Sequence, residues 1–332
     1  MIIIRIGIAL LLPAGAVALG LCLGEPALTP SAVLRAMGDA GDPRHVLVTE
    51  VRAPRVVLAV LAGGGLALSG LLLQDVLRNP IAGPELLGVS SGAAVVTATI
   101  VVLRLDVAVA ALPTAALLGA LVAGAVVLAA LRTTRSPDHV ALVGAAISAA
   151  CGGLVVAVVG LGTQGDVVAL FRYLLGSLAA RGWVHVEAVA PWLAAGAVAA
   201  LLLRRRVEAM TLGDDVAAGL GVAVGRTRLA AVATAALLAA AVASVCGPVA
   251  FVALLAPHLA RRLVGSTRTT RSLGHTVWVG AVLLVLADLA SRTLLYPVEV
   301  PVGVATTLVG VPLLVLVLRA RRGAGRPPGV PA

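Results

Sequence analysis

Apolar residues run along this chain in long blocks broken by short polar clusters. The pattern has neither the strict alternation of a half-exposed strand nor the single stripe of a surface helix. A helix needs about 20 apolar residues to cross the roughly 30 Å hydrocarbon layer of a bilayer. Nine blocks meet that length: 2–23, 56–73, 86–103, 107–131, 140–162, 183–203, 229–246, 273–290 and 302–318. Two shorter blocks stand apart. The stretch 167–180 carries Arg172 and reads as an interfacial or re-entrant helix, while 249–260 contains Pro257 and runs into Arg261 and Arg262.

Arginine placement decides whether 249–260 crosses, because Arg-rich loops stay on the cytoplasmic side. With ten crossings and both termini inside, 17 of the 25 arginines face the cytoplasm and 8 face out. With nine crossings the later loops invert, leaving 10 inside and 15 outside. The expected fold is therefore all-α and polytopic, with about ten transmembrane helices and both termini cytoplasmic. Between the spans, 25–55 reads as an outer loop, partly structured at most, and 75–85 as a tight inner turn. An inner loop at 207–228 has a helical core. A single domain covers 1–322, and the Gly/Pro-rich tail 323–332 is too short and polar to order itself.

Composition narrows the function classes. The chain is 60% apolar and 12% charged, against about 45–50% and about 25% in soluble domains. Too little charge is present to cover a water-facing surface, and too much apolar material for a disordered chain. The net charge of +10 is carried by 25 arginines and no lysine. They sit between apolar runs rather than on one face, which argues against a nucleic-acid surface. Without lysine the chain cannot form a Walker-type phosphate loop or a Schiff base. Cys22, Cys151 and Cys246 show no pairing or metal spacing, and the five histidines are dispersed. No catalytic or metal-ligating set is expected.

Two stretches carry more information. From Arg52 the chain reads RAPRVVLAVLAGGGLALSGLLLQDVLRNPIAGPELLGVSSGAAV. Gly63, Gly64, Gly65, Ser69 and Gly70 offer small faces that let helix backbones approach closely in lipid. Asn79-Pro80 and Gly83-Pro84 force a turn. In the inner loop, Thr211-Leu212-Gly213-Asp214 has capping-box character, and Asp214 and Asp215 suit a helix first turn. Leu212, Val216 and Leu220 recur at four-residue spacing as one apolar stripe, and Gly219 and Gly221 end the helix. Near the outer end of the ninth block, Asp288 and Arg292 share a helix face.

The stretch from Arg52 resembles the membrane subunits of type II ABC importers, the iron-chelate and cobalamin importer permeases. Their signature has the form R-x-P-R, A-x-S-G-x-x-x-Q and N-P-x-A-x-P-x-x-L-G-V-S-x-G-A. Here Arg52, Pro54, Arg55, Ala67, Ser69, Gly70, Gln74, Asn79, Pro80, Ala82, Pro84, Leu87, Gly88, Val89, Ser90, Gly92 and Ala93 fill it. GPVAFVALLAPHLAR from Gly247 and ADLASR with the following PVEVPVGVATTLVGVP are similar to that family's last three helices.

The resemblance implies a multi-pass permease of a bacterial cytoplasmic membrane, importing a metal chelate, most of all a ferric siderophore, with haem and cobalamin next. It implies no cofactor bound by this chain, since ATP and Mg²⁺ belong to a partner. The partners implied are a second permease copy or homologue, a cytoplasmic ATPase dimer and an extracytoplasmic substrate-binding protein. By the same resemblance, the segment 211–221 couples to the ATPase through Leu212, Gly213, Asp214, Asp215, Ala217, Leu220 and Gly221. Arg52, Arg55 and Arg292 would dock the binding protein, with Asp288 orienting Arg292. An ion- or proton-coupled secondary transporter is the alternative, and it wants ionisable residues at the bilayer midplane. Apart from Asp288 the spans hold almost no acid at their centres.

Overall fold

A backbone crossing lipid must satisfy its own N–H and C=O groups, and helices do so within one segment. The computed structural model describes residues 2–133 and 137–324, and every regular element among them is helical. In chain order they are α1 (Ile2–Cys22), α2 (Pro30–Gly38), α3 (Ala53–Val76), α4 (Val89–Val102), α5 (Leu112–Thr133), α6 (Pro137–Val159), α7 (Gln164–Leu174), α8 (Trp183–Met210), α9 (Asp214–Gly219), α10 (Val224–Cys246), α11 (Val252–Val264), α12 (Thr269–Thr293) and α13 (Val302–Ala324). A π-helical turn, Leu47–Arg52, runs straight into α3, and 3-10 turns at Pro84–Leu87 and Val109–Ala111 precede α4 and α5.

Six helical segments are long and apolar enough to cross a bilayer: Leu47–Val76, Val109–Ala130, Leu142–Val159, Trp183–Met210, Val224–Cys246 and Thr269–Thr293. Leu11–Cys22, Val89–Val102 and Val302–Leu314 are apolar and shorter. This is the helix content of a multi-pass membrane protein.

The centre of the bundle is α3. Every residue from 62 to 77 is buried, so this helix is enclosed on all sides. Glycine makes the enclosure possible. Gly63 faces Gly280 where α3 crosses α12, and a methyl on either would overlap the other's carbonyl oxygen. Gly70 lies against the backbone of Ala253 on α11, and Gly92 against Gly119 where α4 meets α5. The second enclosed helix is α10, with buried side chains from Ala231 to Cys246 interrupted only at 233 and 237. Around this centre, α6 and α8 turn large apolar side chains outward: Leu142 is 67% exposed, Val156 72% and Leu202 75%. Water does not tolerate such contiguous apolar exposure, so these faces belong to lipid or to another chain.

Several expectations are corrected. The loop 25–55 holds more regular structure than its prolines suggest. Thr29 caps α2, its hydroxyl accepting the Ala32 N–H at 3.3 Å, and Pro30 opens that helix where a missing N–H costs nothing. The span expected at 56–73 begins outward of that, at Leu47, and α8 continues seven residues beyond 203. The stretch 167–180 is half helix: α7 stops at Leu174, and the chain beyond it is irregular. Asp166 accepts the Thr163 N–H at 2.9 Å and its hydroxyl at 2.7 Å, closing a capping box at the start of α7. Those hydrogen bonds hold the Asp166 carboxyl below its ordinary pKa. All but the first two residues of the tail 323–332 lie outside the described residues.

Candidate functional site

At one end of the bundle the chain leaves α8 and enters α9 through a turn only glycine takes readily. Gly213 sits at φ +113° as the N-cap of α9. The capping box expected from Thr211 does not form. The Thr211 hydroxyl instead donates back to the Glu208 carbonyl at 2.7 Å, and no side chain caps α9. What fixes α9 is charge. Asp214 accepts Nη2 of Arg228 at 2.7 and 2.9 Å and lies 3.3 Å from Nη2 of Arg78. Arg228 lies in the first turns of α10, and Arg78 comes just after Leu77, the C-cap of α3. One carboxylate thus pins α9 to the two most enclosed helices of the bundle.

The anchor of α9 is Ala217, fully buried, while Leu212, Val216 and Leu220 are 64%, 50% and 64% exposed. The apolar stripe read from the sequence faces outward. Asp215 is exposed beside it, and Gly221 at φ +80° closes the segment, its N–H bonding the Ala218 carbonyl at 2.9 Å. The short helix α9 is thus clamped from behind and leaves three aliphatic side chains uncovered in front.

The signature residues lie mostly behind this end. Gln74 donates to the Leu254 carbonyl at 3.2 Å and accepts Nη1 of Arg261 at 3.3 Å, tying α3 to α11. Its neighbour Asp75 accepts Nη2 of Arg261 and the Thr269 hydroxyl, each at 2.6 Å, which adds α12. Glu208 accepts the Thr270 N–H at 2.9 Å and its hydroxyl, joining α8 to α12. Asn79 accepts the Ile81 N–H at 3.0 Å, turning the chain at exposed Pro80, and Pro84 starts the 3-10 turn before α4. Gly88 at φ +64° lets that turn pass into α4. Ser90 is half-buried in the first turn of α4, and Gly92 holds the α4–α5 crossing described above.

At the opposite end, Arg52, Arg55 and Arg292 do come together, and all three turn into the protein. Arg52 is 3% exposed and donates to the carbonyls of Leu21 at 2.8 Å, Cys22 at 3.3 Å and Pro26 at 2.5 Å. Arg55 grips Asp288 with Nε at 2.9 Å and Nη2 at 2.7 Å, and also pairs with Glu299. Arg292 donates to the Gly20 carbonyl and lies 3.7 Å from Asp288. Asp288 therefore bonds Arg55 first and Arg292 second. The cluster welds α1, α3, α12 and the approach to α13 into one rim.

Sequence reasoning missed Arg78, Arg228, Asp75, Arg261 and Glu299. Asp75 carried a local signal, an acid at the end of an apolar run, but its partner lies 186 positions later. Among the described residues no group of three or more His, Cys, Asp and Glu side chains is arranged to hold a metal ion.

A bundle of helices, six of them long and apolar enough to cross a bilayer, defines the class: a multi-pass membrane protein. The chain belongs to the FecCD transport family, whose model matches residues 10–320. It is 34% identical over 299 residues to the Fe(3+)-citrate import system permease protein YfmE of Bacillus subtilis (strain 168), covering 90% of this chain and 89% of that protein. It is 35% identical over 322 residues to the ferric enterobactin transport system permease protein FepG of Escherichia coli (strain K12), covering 91% and 92%. A solved structure described as a metal-chelate type ABC transporter in an inward-facing conformation matches with a TM-score of 0.84 at 26% identity, over 96% of this chain and 100% of that one. The family read from the 52–93 signature is the family found.

Proposed function

We propose that this chain is the membrane permease of an ABC importer that carries a ferric chelate, foremost a ferric siderophore, across a bacterial cytoplasmic membrane. ATP and Mg²⁺ are bound and hydrolysed on a partner ATPase pair. Ten crossings fit the helices: the six long spans with α1, α4, α11 and α13. At 1.5 Å per residue, α4 with 14 residues and α11 with 13 reach only about 20 Å, which suits helices flanked by irregular chain inside the bundle. Both termini then lie on the cytoplasmic side with α9. A second copy, or a homologous permease, covers part of the outward apolar face.

The observation that carries this reading is the α9 clamp. Leu212, Val216 and Leu220 enter a groove of the ATPase, and its closure pushes on α9. The push passes through Asp214 to Arg78 and Arg228, and so to α3 and α10, shifting the population between two helix arrangements. The relatives, permeases for Fe(3+)-citrate and ferric enterobactin, support the cargo class. At the outer end, the binding protein docks on the rim that Arg52, Arg55 and Arg292 hold in shape. Their guanidinium groups are engaged within the chain, which favours a scaffolding share in docking over direct capture of an acidic partner. Reconstitution with an ATPase and binding protein tests the whole scheme by ATP-dependent uptake of radiolabelled ferric siderophore. Uptake that persists with a hydrolysis-dead ATPase rejects it.

A further inference from the structure

Arg181 stands between α7 and α8, apart from both the α9 clamp and the outer rim. Trp183 beside it donates from Nε1 to the Thr49 carbonyl at 2.8 Å, which places this spot at the same end of the bundle as the rim. The chain there is irregular, yet it sits level with the last turn of α10. The Tyr173 hydroxyl donates to the Ala243 carbonyl at 2.7 Å, and the Ser177 N–H to the Cys246 carbonyl at 2.8 Å. Irregular backbone at membrane depth is tolerated only where protein covers it or water lines it. Leu178 is buried, but Ala180 is exposed and Arg181 partly so, which gives this part of the stretch to water rather than lipid. Ala180 holds φ at +55°, the kind of backbone strain that collects at ligand sites.

Next to that strained residue stand two donors without an acceptor. The Gly182 N–H donates to Nδ1 of His185 at 3.2 Å, which leaves the ring proton on Nε2. Nε2 lies 3.3 Å from Nη1 of Arg181, and an N–H facing an N–H makes no hydrogen bond. Nε of Arg181 is buried and has no partner either. Among the described residues no carboxylate pairs with this guanidinium. A methyl built on Gly182 would meet nothing within 4 Å outside the adjoining chain, so there is open space beside the pair. Facing donors in a partly buried cationic spot call for an oxyanion between them, and the flat guanidinium with a second N–H alongside suits the two oxygens of a carboxylate. We propose that Arg181 and His185 bind a carboxylate of the incoming chelate at the outer side, before it crosses. This rests on the importer reading and names a cargo class within it: ferric chelates that carry a carboxylate.

The test measures equilibrium binding of radiolabelled ferric citrate to the purified full-length chain in detergent, at about 0.15 M salt, where charges act over roughly 8 Å. Ferrichrome, a neutral hydroxamate chelate without a carboxylate, is the comparison. The expected result is a preference for ferric citrate that falls about tenfold to a hundredfold in Arg181→Gln. His185→Phe, which removes the ring N–H, should lower it about threefold. Arg172→Gln removes the same charge from the exposed last turn of α7 and should change it less than about twofold. Circular dichroism and melting confirm that all three variants fold. Equal retention of the two chelates by the native chain overturns the proposal, as does an unchanged preference in Arg181→Gln or an equal loss in Arg172→Gln. Displacement of ferric citrate by millimolar acetate also overturns it, by assigning the pair to any small carboxylate. Uptake by the reconstituted importer is scored separately: its absence beside Arg181-dependent chelate binding would strike the transport reading and leave this site standing.

Discussion

Asp288→Asn is the sharpest test of how the outer rim is held. In the native chain this carboxylate is 2% exposed and accepts Arg55 through Nε at 2.9 Å and Nη2 at 2.7 Å, with Arg292 at 3.7 Å. The two guanidinium side chains are themselves only 13% and 10% exposed. Replacing the charge leaves both without a buried counter-ion, and Glu299, 37% exposed, reaches only Arg55. Breaking a buried pair from one side costs about 3–5 kcal/mol, because the remaining charge stays desolvated. For a chain of this length that corresponds to a fall in Tm of roughly 4–7 °C. Glu299→Gln removes a half-exposed partner that water screens, and costs about 1 kcal/mol or less. Melting of the purified chain in detergent measures both. A double-mutant cycle with Arg55→Gln isolates the pair, with a coupling of more than about 1 kcal/mol expected. Asp288→Asn melting within about 2 °C of wild type, or Glu299→Gln costing as much, would refute the reasoning.

Further outcomes follow from the other contacts. Asp214→Ala should lower stability by about 1–2 kcal/mol, since Arg228 is buried while Asp214 is partly exposed. It should also lower uptake per ATP hydrolysed in the assembled transporter, whereas Asp215→Ala leaves both unchanged; equal effects of the two would remove Asp214 from the transmission path. Leu212→Ser with Leu220→Ser should leave Tm within about 1–2 °C, because both side chains are largely exposed, yet weaken pull-down of the ATPase. Retained ATPase binding would dismiss the gripped-helix reading. Gly70→Val should cost about 3 kcal/mol or more, because the new side chain meets the Ala253 backbone rather than a movable side chain. Gly152→Val, at a position with open space around it, is the control, and similar melting of the two would contradict the α3–α11 packing.

Much of this molecule was legible because lipid makes its rules local. Long apolar runs mark helices wherever they occur, so α1, α3, α4, α5, α6, α10 and α12 were placed to within about five residues at each end, while α8 and α13 run on past their apolar blocks to Met210 and Ala324. The α9 segment also announced itself, through two acids set within a stripe of Leu212, Val216 and Leu220 at helical spacing. The turn at Gly88 and the small faces of Gly63 and Gly70 were readable as special positions, though not what they touch.

Local rules fail where distant segments decide the outcome. The capping box at Thr211 loses because the turn through Gly213 sends that hydroxyl back to Glu208, and Asp214 is claimed by arginines from two other helices. The loop 25–55 gains its order from what it rests against: His45 meets the Ala36 carbonyl, and Trp183 reaches back to Thr49. Arg52, Arg55 and Arg292 were visible as a set, but a sequence does not show that their hydrogen bonds end on carbonyls of residues 20–26 and on Asp288. Hydropathy and backbone sterics are properties of neighbours along the chain, so the sequence determined the helices and their membrane setting. Which buried charge meets which is a property of packing, where a pair separated by 233 residues closes to under 3 Å, and only the tertiary structure decides it.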